Sequence, residues 1–480
     1  MDDTHRVELE TYPCAMPPVI PELSDLHKLP LTQQPSYEDS AAWAAVLEQL
    51  RKLPPLVFAG ECDNLKSQLA EVAAGKAFLL QGGDCAETFN TVRADSIRAR
   101  FRVLLSMSVV LTYAAQLPVV KVGRIAGQYA KPRSSDTETR NGITLPSYRG
   151  DAVNDLDFTA DARRHDPNRL LGVYNASAAT LNLLRAFSSG GFADLRQIHA
   201  WNANFVKDSH VESKYEQISD EINRALGFMQ ACGVEDEVMR VVNFYASHEA
   251  LLIDYEHSLT RIDSRSGRPY DTSGHLVWIG ERNRVSDGIG GAHVQLLKNV
   301  QNPLGVKLGP NTEGADAVAI AEALDPDFEP GRLTFITRMG AGLVRDRLPR
   351  IIEAVEATGR KVAWVCDPMH GNTFSTANGF KTRSYDAVVE EVNGFFDVHA
   401  ELGTWPGGVH IELSGDDVTE CLGGAFELSE ADLDGRYETA CDPRLNRNQS
   451  LELAFMIAER LNENHRRDFS PIEATDWTLG

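Results

Sequence analysis

AFLLQGGDC, residues 77–85, is a short apolar run that ends on an acid and a thiol. Seven further segments repeat the form: PVVKVGR (118–124), VVNFYASHE (241–249), HLVWIGER (275–282), GVKLG (305–309), LTFITR (333–338), VAWVCDPMH (362–370) and GVHIEL (408–413). Near-continuous apolar runs of this length read as strands buried on both faces, as in a parallel sheet covered by helices. Each of the eight carries at or near its end a residue able to bind a metal, hold a phosphate or move a proton. That pattern predicts an α/β fold, the (β/α)8 TIM barrel, whose catalytic groups come from the C-terminal ends of several strands.

The chain has 480 residues, 42% of them apolar, enough for a barrel of about 250 residues with additions. Lys and Arg number 47 against 69 Asp and Glu, a formal net charge of -22. This balance argues against nucleic-acid and anionic-membrane partners, and leaves room for a local Arg/Lys cluster that takes an anionic small molecule. The first ten residues are polar and no stretch approaches the roughly 20 apolar residues of a membrane span, so neither a secretory signal nor a membrane anchor is expected. The seven cysteines are odd in number and scattered without a C-x-x-C, which points to a reducing cytoplasm rather than a disulfide framework.

Residues 1–35 carry six of the 22 prolines and read as an irregular arm, with docking on a neighbouring subunit as one expectation for it. Helices are expected at Tyr37–Leu53, with Asp39 and Ser40 as capping side chains, and at Asn64–Ala74. An N-terminal arm with helices (1–70) would then precede the catalytic barrel (71–462). More than a hundred residues separate Arg124 from Val241, too many for one βα unit. This gap is expected to hold a helix over Ala160–Phe187 and an inserted helical pair over about 188–233, punctuated by Ser188–Gly191 and Cys232-Gly233. A last helix, Ser450–Asn462, precedes a polar tail (463–480).

Neither the P-loop pattern, a complete G-x-G-x-x-G, nor G-x-S-x-G occurs, so nucleotide-driven phosphoryl transfer, dinucleotide redox chemistry and α/β-hydrolase catalysis lack their marks. Four other groupings carry chemistry. Cys85, a buried small hydrophobe in the ordinary case, stands among Gly82, Gly83, Asp84 and Glu87. VGRIAGQYAKPRS (122–134) presents Arg124, Lys131, Arg133 and Ser134 on one Gly- and Pro-shaped loop, donors suited to phosphate or carboxylate. WIGERNR (278–284), VKLGP (306–310) and ITRMG (336–340) place Glu281, Arg282, Lys307 and Arg338 at or inside apolar runs. One of these cations could pair with Glu281 or Asp367, but Arg124, Arg282, Lys307 and Arg338 together call for bound anions. Finally, CDPMHGNT (366–373), GVHIELSG (408–415) and ETACDPRLN (438–446) supply His370, Glu412 and Asp442. With Cys85 these form an S, N, O, O set suited to a divalent transition metal, although each alone has an ordinary structural role open to it.

Taken together, LLQGGDCAETF, GRIAGQYAKPRS, YASHEALLIDYE, WIGER, GVKLGP, CDPMHGNT, TECLGGA and ETACDPRLN resemble the type II 3-deoxy-D-arabino-heptulosonate 7-phosphate (DAHP) synthases, over about Pro54 to Leu461. The resemblance implies condensation of phosphoenolpyruvate (PEP) with erythrose 4-phosphate, the first step of the shikimate pathway. It implies Cys85, His370, Glu412 and Asp442 as ligands of Mn2+ or Co2+. Arg124, Glu281, Arg282, Lys307 and Arg338 would hold PEP, and Lys131, Arg133 and Ser134 the sugar phosphate. Glu281 and Lys307 are the candidates for handling water and protons. A homo-oligomer, an aromatic amino-acid effector bound near the inserted pair (Phe192, Trp201 and Phe205 being either effector contacts or core) and a chorismate mutase partner are further expectations, as is a Cys85–Cys441 disulfide formed on oxidation. Two departures from the family pattern are extra residues before AHV in NRVSDGIGGAHVQLLKN and a longer tail after Asn462. Alternatives are an amino-DAHP synthase of secondary metabolism, a non-catalytic regulatory paralogue, and a metal-dependent sugar-phosphate aldolase with another acceptor.

Overall fold

The computed structural model of the chain describes residues 20–193, Arg224 and 242–468. Eight parallel strands close a barrel in chain order: β1 Phe78–Gly83, β2 Val119–Arg124, β3 Tyr245–Glu249, β4 Leu276–Ile279, β5 Leu304–Leu308, β6 Leu333–Thr337, β7 Ala363–Cys366 and β8 Gly408–Glu412, which returns to β1. Each lies inside or within one residue of the apolar segment that predicted it.

The two-residue period of a strand sorts its side chains into an inner and an outer set. Phe78, Leu80, Val277, Val306, Phe335, Trp364 and Val409 are buried in the layer shared with the helices. Leu79, Val120, Val122, Tyr245, Leu276, Ala363 and Val365 form a separate buried cluster with Leu65, Leu69 and Val72 of helix Ala59–Ala73. That helix therefore stops the N-terminal mouth. Farther along the strands the inner positions become polar. Gln81 Nε2 donates to Ser247 Oγ at 2.9 Å, and His410 Nδ1 lies 2.8 Å from Gln81 Oε1. The last inner positions are charged: Arg124, Lys307 and Glu412. Gly83 pairs in register with Arg124 on one side and Glu412 on the other. Its φ is +149°, and a Cβ there would come within 2.5 Å of the Arg124 carbonyl oxygen, so only glycine lets β1 turn toward Cys85.

Helices connect the strands, and the last, Arg447–Asp468, packs beside Ala94–Ala115 to complete the outer ring. Element ends differ from expectation for local reasons. Helix Ser40–Lys52 begins where Asp39 Oδ1 accepts from the backbone of Ala41 and Ala42, at 3.0 and 2.9 Å. Helix Ala59–Ala73 starts five residues before the expected Asn64, because Glu61 Oε2 takes the Phe58 N–H at 2.9 Å; the expected boundary at residue 70 falls inside it. Helix Arg169–Ser189 starts nine residues later than the expected Ala160, since Pro167 excludes the preceding residues from a continuous helix. The C-terminal helix runs past Asn462 to Asp468, so the expected polar tail begins as helix.

The described part of the N-terminal arm docks on its own barrel. Leu23 and Leu26 are buried, Ala292 N donates to Pro30 O at 3.0 Å, and Gln34 hydrogen-bonds Leu251 O and Ile253 N. Apart from Ser188–Ala193 and Arg224, the inserted pair expected over 188–233 lies outside the described residues, with Trp201 and Phe205. Phe192 packs against Phe101 and Phe187, at 6.3 and 4.7 Å between ring centroids. No helix among the described residues is long and apolar enough to cross a membrane. Leu69→Ala, which empties the helical stopper, is expected to lower stability by roughly 2–5 kcal/mol in chemical denaturation. A cost near zero would mean the stopper is dispensable.

Candidate active site and metal centre

At the C-terminal mouth a cavity of about 330 Å³ is lined by Arg124, Lys131, Arg133, Ser134, Glu249, Trp278, Glu281, Arg282, Lys307, Arg338, His370, Thr373, Lys381 and Asp442, with Pro132 and Gly280. Ten of the twelve residues singled out in the sequence are thus in one place. The other two, Cys85 and Glu412, lie fully buried behind the wall. Seven Lys and Arg side chains face the cavity against three carboxylates, an inversion of the chain's overall charge.

Sulfur and carboxylate atoms of Cys85, Glu412 and Asp442 lie within 4.8 Å of one another. His370 Nε2 is 3.0 Å from Glu412 Oε1, while its Nδ1 is 2.7 Å from Asp367 Oδ2. The second contact fixes the ring so that Nε2 is presented, the arrangement that orients metal-binding histidines. A thiol, an imidazole and two carboxylates suit a borderline divalent transition ion, so the residues present fit a metal. Burial pushes the Cys85 thiol well up, and Glu412 adds to the effect; a bound cation would offset both and favour the thiolate. Cys85 and Cys441 are both free thiols.

Glu412 collects positive charge. Arg124 Nη2 lies 3.1 Å from its Oε1, Lys131 Nζ 3.5 Å from the same oxygen, and Arg383 Nη2 2.6 Å from Oε2. Burial alone would raise its carboxyl, but His370, Lys131, Arg383 and Arg124 outweigh burial and hold it well below the usual range. Lys131 also meets Asp442 at 3.0 Å. Lys381 pairs with Asp442 as well.

Arg124 is anchored for a role in the cavity. Its Nε donates to Asp84 O and its Nη2 to Cys85 O, both at 3.0 Å. Burial, with Lys307 and Arg124 nearby, holds the His410 imidazole neutral. Neutral His410 therefore donates from Nδ1 to Gln81 and accepts at Nε2 from Arg124 Nη1 at 2.5 Å. Trp278 presents its ring to both Arg124 and Lys307, 5.2 and 5.8 Å from the centroid.

Lys307 pairs with Asp367, one of the two acids expected to satisfy one of the four cations. Burial pulls the ammonium down to about 8, with Arg124 adding to the effect and Asp367 opposing it. Glu281 is held on both oxygens: Oε1 accepts from Arg284 at 3.1 Å and Oε2 from Gly309 N at 2.9 Å. Arg338 Nη2 donates to His370 O at 2.8 Å. Arg282 and Ser134 are exposed on the rim.

Sequence reasoning missed Arg383, His410, Glu249 and Arg284. His410 and Glu249 carried a signal, since each is a polar residue at an inward position of its strand. Arg383 carried none: it comes from a hairpin, Thr373–Ser375 with Lys381–Arg383, that folds over the mouth. Glu249 Oε1 is buried without a hydrogen-bond partner among the described residues.

With this geometry in view, the comparisons with known proteins decide the family. The class-II DAHP synthetase family model matches residues 21–458. The chain belongs to the class-II DAHP synthetase family, and it is an enzyme. A phospho-2-dehydro-3-deoxyheptonate aldolase of Streptomyces coelicolor is 60% identical over 431 residues, covering 90% of this chain and 95% of the relative. The relative AroG of Mycolicibacterium smegmatis, of the same description, is 53% identical over 458 residues, covering 93% and 97%. A solved structure described as phospho-2-dehydro-3-deoxyheptonate aldolase from Francisella tularensis SCHU S4 overlaps 90% of this chain and 98% of its own, with a TM-score of 0.44 and 11% identity. That likeness is too distant to bear on the site.

Glu391, on helix Tyr385–Leu402, ties two site loops of this family member together. Its Oε1 accepts from Gly340 N at 2.8 Å, two residues after Arg338, and its Oε2 from Asn372 Nδ2 at 2.7 Å, two residues after His370. Burial pushes its carboxyl up to about 8. A carboxyl raised in the folded state withdraws stability as pH climbs from the unfolded value, about 4.3, through the folded one. Glu391→Gln removes that ionisation. Its stability relative to wild type is therefore expected to improve between about pH 4.3 and 8 and to level off above, read from thermal unfolding across pH. A difference that stays flat through this window would contradict a raised Glu391.

Proposed function

We propose that this chain condenses PEP with erythrose 4-phosphate and water to give DAHP and inorganic phosphate, the entry reaction of the shikimate pathway. The observation that carries the reading is the cavity itself. A cationic pocket in an acidic protein opens onto a thiol–imidazole–carboxylate group, which suits two phosphorylated substrates and one polarised carbonyl. The names of the relatives support the same reaction.

In this reading Arg282, Lys307 and Arg338 hold the phosphate and carboxylate of PEP, with Arg124 beside the metal group. Glu281 keeps Arg284 and the Gly309 turn in place at the same end. Lys131, Arg133 and Ser134 receive the sugar phosphate. Cys85, His370, Glu412 and Asp442 would hold Mn2+ or Co2+, and the ion would polarise the aldehyde carbonyl. C3 of PEP attacks the aldehyde carbon, the new alkoxide takes a proton, water adds at C2, and the phosphate leaves. Lys307, with its ammonium near 8, is suited to move a proton at neutral pH. Both oxygens of Glu281 are engaged, so the carboxylate better placed to take a proton from the attacking water is Glu249, whose Oε1 has no partner among the described residues.

PEP consumption by chelator-stripped protein is expected only when erythrose 4-phosphate and Mn2+ are both supplied. Folded, metal-loaded protein that leaves PEP intact would sink the assignment, and turnover with an imine sugar alone would move it to the amino-DAHP reaction. Lys307→Met should lower kcat/KM for PEP by roughly 100-fold, the scale of a lost charge-assisted hydrogen bond. In the wild type, kcat/KM for PEP should fall above about pH 8 as this cation is lost. A pH profile level to 10 would contradict a lowered Lys307 and its part in proton transfer at neutral pH.

A further inference from the structure

Five buried charged side chains of alternating sign run behind the cavity: Glu420, Arg444, Asp84, Arg100 and Glu87. Each is at most 6% exposed. Arg444 grips Glu420 with two nitrogens, Nε to Oε2 at 3.0 Å and Nη2 to Oε1 at 2.6 Å, and gives Nη1 to Asp84 Oδ1 at 3.1 Å. Asp84 Oδ2 faces Arg100 Nη1 at 3.3 Å, and the same nitrogen lies 3.5 Å from Glu87 Oε1. Glu87 Oε2 accepts from Gly127 N and Gln128 N, both at 3.0 Å.

None of these groups lines the cavity, yet three of them adjoin parts of the site. Asp84 precedes Cys85. Arg444 follows Asp442 by two residues, and Asp442 N donates to Cys85 Sγ at 3.1 Å. Glu87 holds the turn that leads to Lys131. Three segments distant in sequence are thus tied together, 84–87 to 442–444 by ion pairs and to 127–128 by the hydrogen bonds of Glu87, and a buried pair that loses one partner leaves the other charge uncompensated.

We infer that Asp84 and Arg444 are positioning residues that set the separation of Cys85 from Asp442 and so govern metal affinity. The inference rests on the metal reading of Cys85, His370, Glu412 and Asp442. Geometry supports it directly: the Asp84–Arg444 pair spans the same two segments as the sulfur and the carboxylate, one and two residues away from them. A partner of this kind, touching no substrate, typically changes metal affinity by about 10- to 100-fold.

The test is a Co2+ titration of chelator-stripped full-length protein, read by the thiolate-to-cobalt absorption band, with far-UV circular dichroism to verify folding. Asp84→Asn keeps the shape of the side chain and carries the test if Arg444→Met fails to fold. Each variant is expected to bind Co2+ roughly 10- to 100-fold more weakly, with the band shifted or weakened. The double variant should lose less than the sum of the two single losses, because both changes remove the shared Asp84–Arg444 pair. Wild-type affinity in a folded Asp84→Asn variant, or additive losses in the double variant, would overturn the inference while leaving the metal site standing. A wild-type protein that shows no thiolate band would overturn the metal reading and this inference together.

Discussion

A fully buried carboxylate at the end of β8, Glu412, is the constraint around which the mouth of the barrel is arranged. An isolated charge in that position would be expelled or neutralised. It stays ionised because Arg124 from β2, Lys131 from the following loop, Arg383 from a distant hairpin and His370 after β7 converge on it. None of these partners is near it in sequence, so only the closed ring brings them together. The register that sets Gly83 beside both Arg124 and Glu412 is what makes this convergence possible.

From that centre the charge distribution follows. Acidic residues dominate the chain while cations dominate the cavity, and the inner layers of the barrel grade from aliphatic through neutral polar to charged along the strand direction. The gradient separates stability from chemistry. The N-terminal mouth, stopped by Leu65, Leu69 and Val72, holds the fold, and the C-terminal mouth holds the reactive groups, a division general to this architecture. Asp367 joins the two halves of the site: it neutralises Lys307 on one side and orients His370 on the other.

Much of this was legible in the sequence because a parallel barrel writes each strand as an apolar run and places its chemistry at the run's end. All eight strands were visible on that ground, and so were Arg124, Lys307 and Glu412 as charged residues closing buried segments. Loops and hairpins carry no such signature. Arg383 looks like one more surface arginine until the hairpin folds it onto Glu412, and Arg284 looks like a neighbour of Arg282 until its guanidinium is seen to hold Glu281. Glu281 was read as an ion-pair partner or a proton-handling acid, and the fold engages both its oxygens, with Arg284 and the Gly309 backbone. Helix starts were misjudged where a side chain outside the apolar pattern sets the boundary, as Glu61 does for Ala59–Ala73.

Anomalous diffraction from a crystal grown with Mn2+ and PEP tests the central claim most directly. The account predicts a single strong manganese peak bounded by Cys85 Sγ, His370 Nε2, Glu412 and Asp442, with PEP beside it against Arg282, Lys307 and Arg338. Manganese bound elsewhere, or PEP lodged away from those three cations, would contradict it.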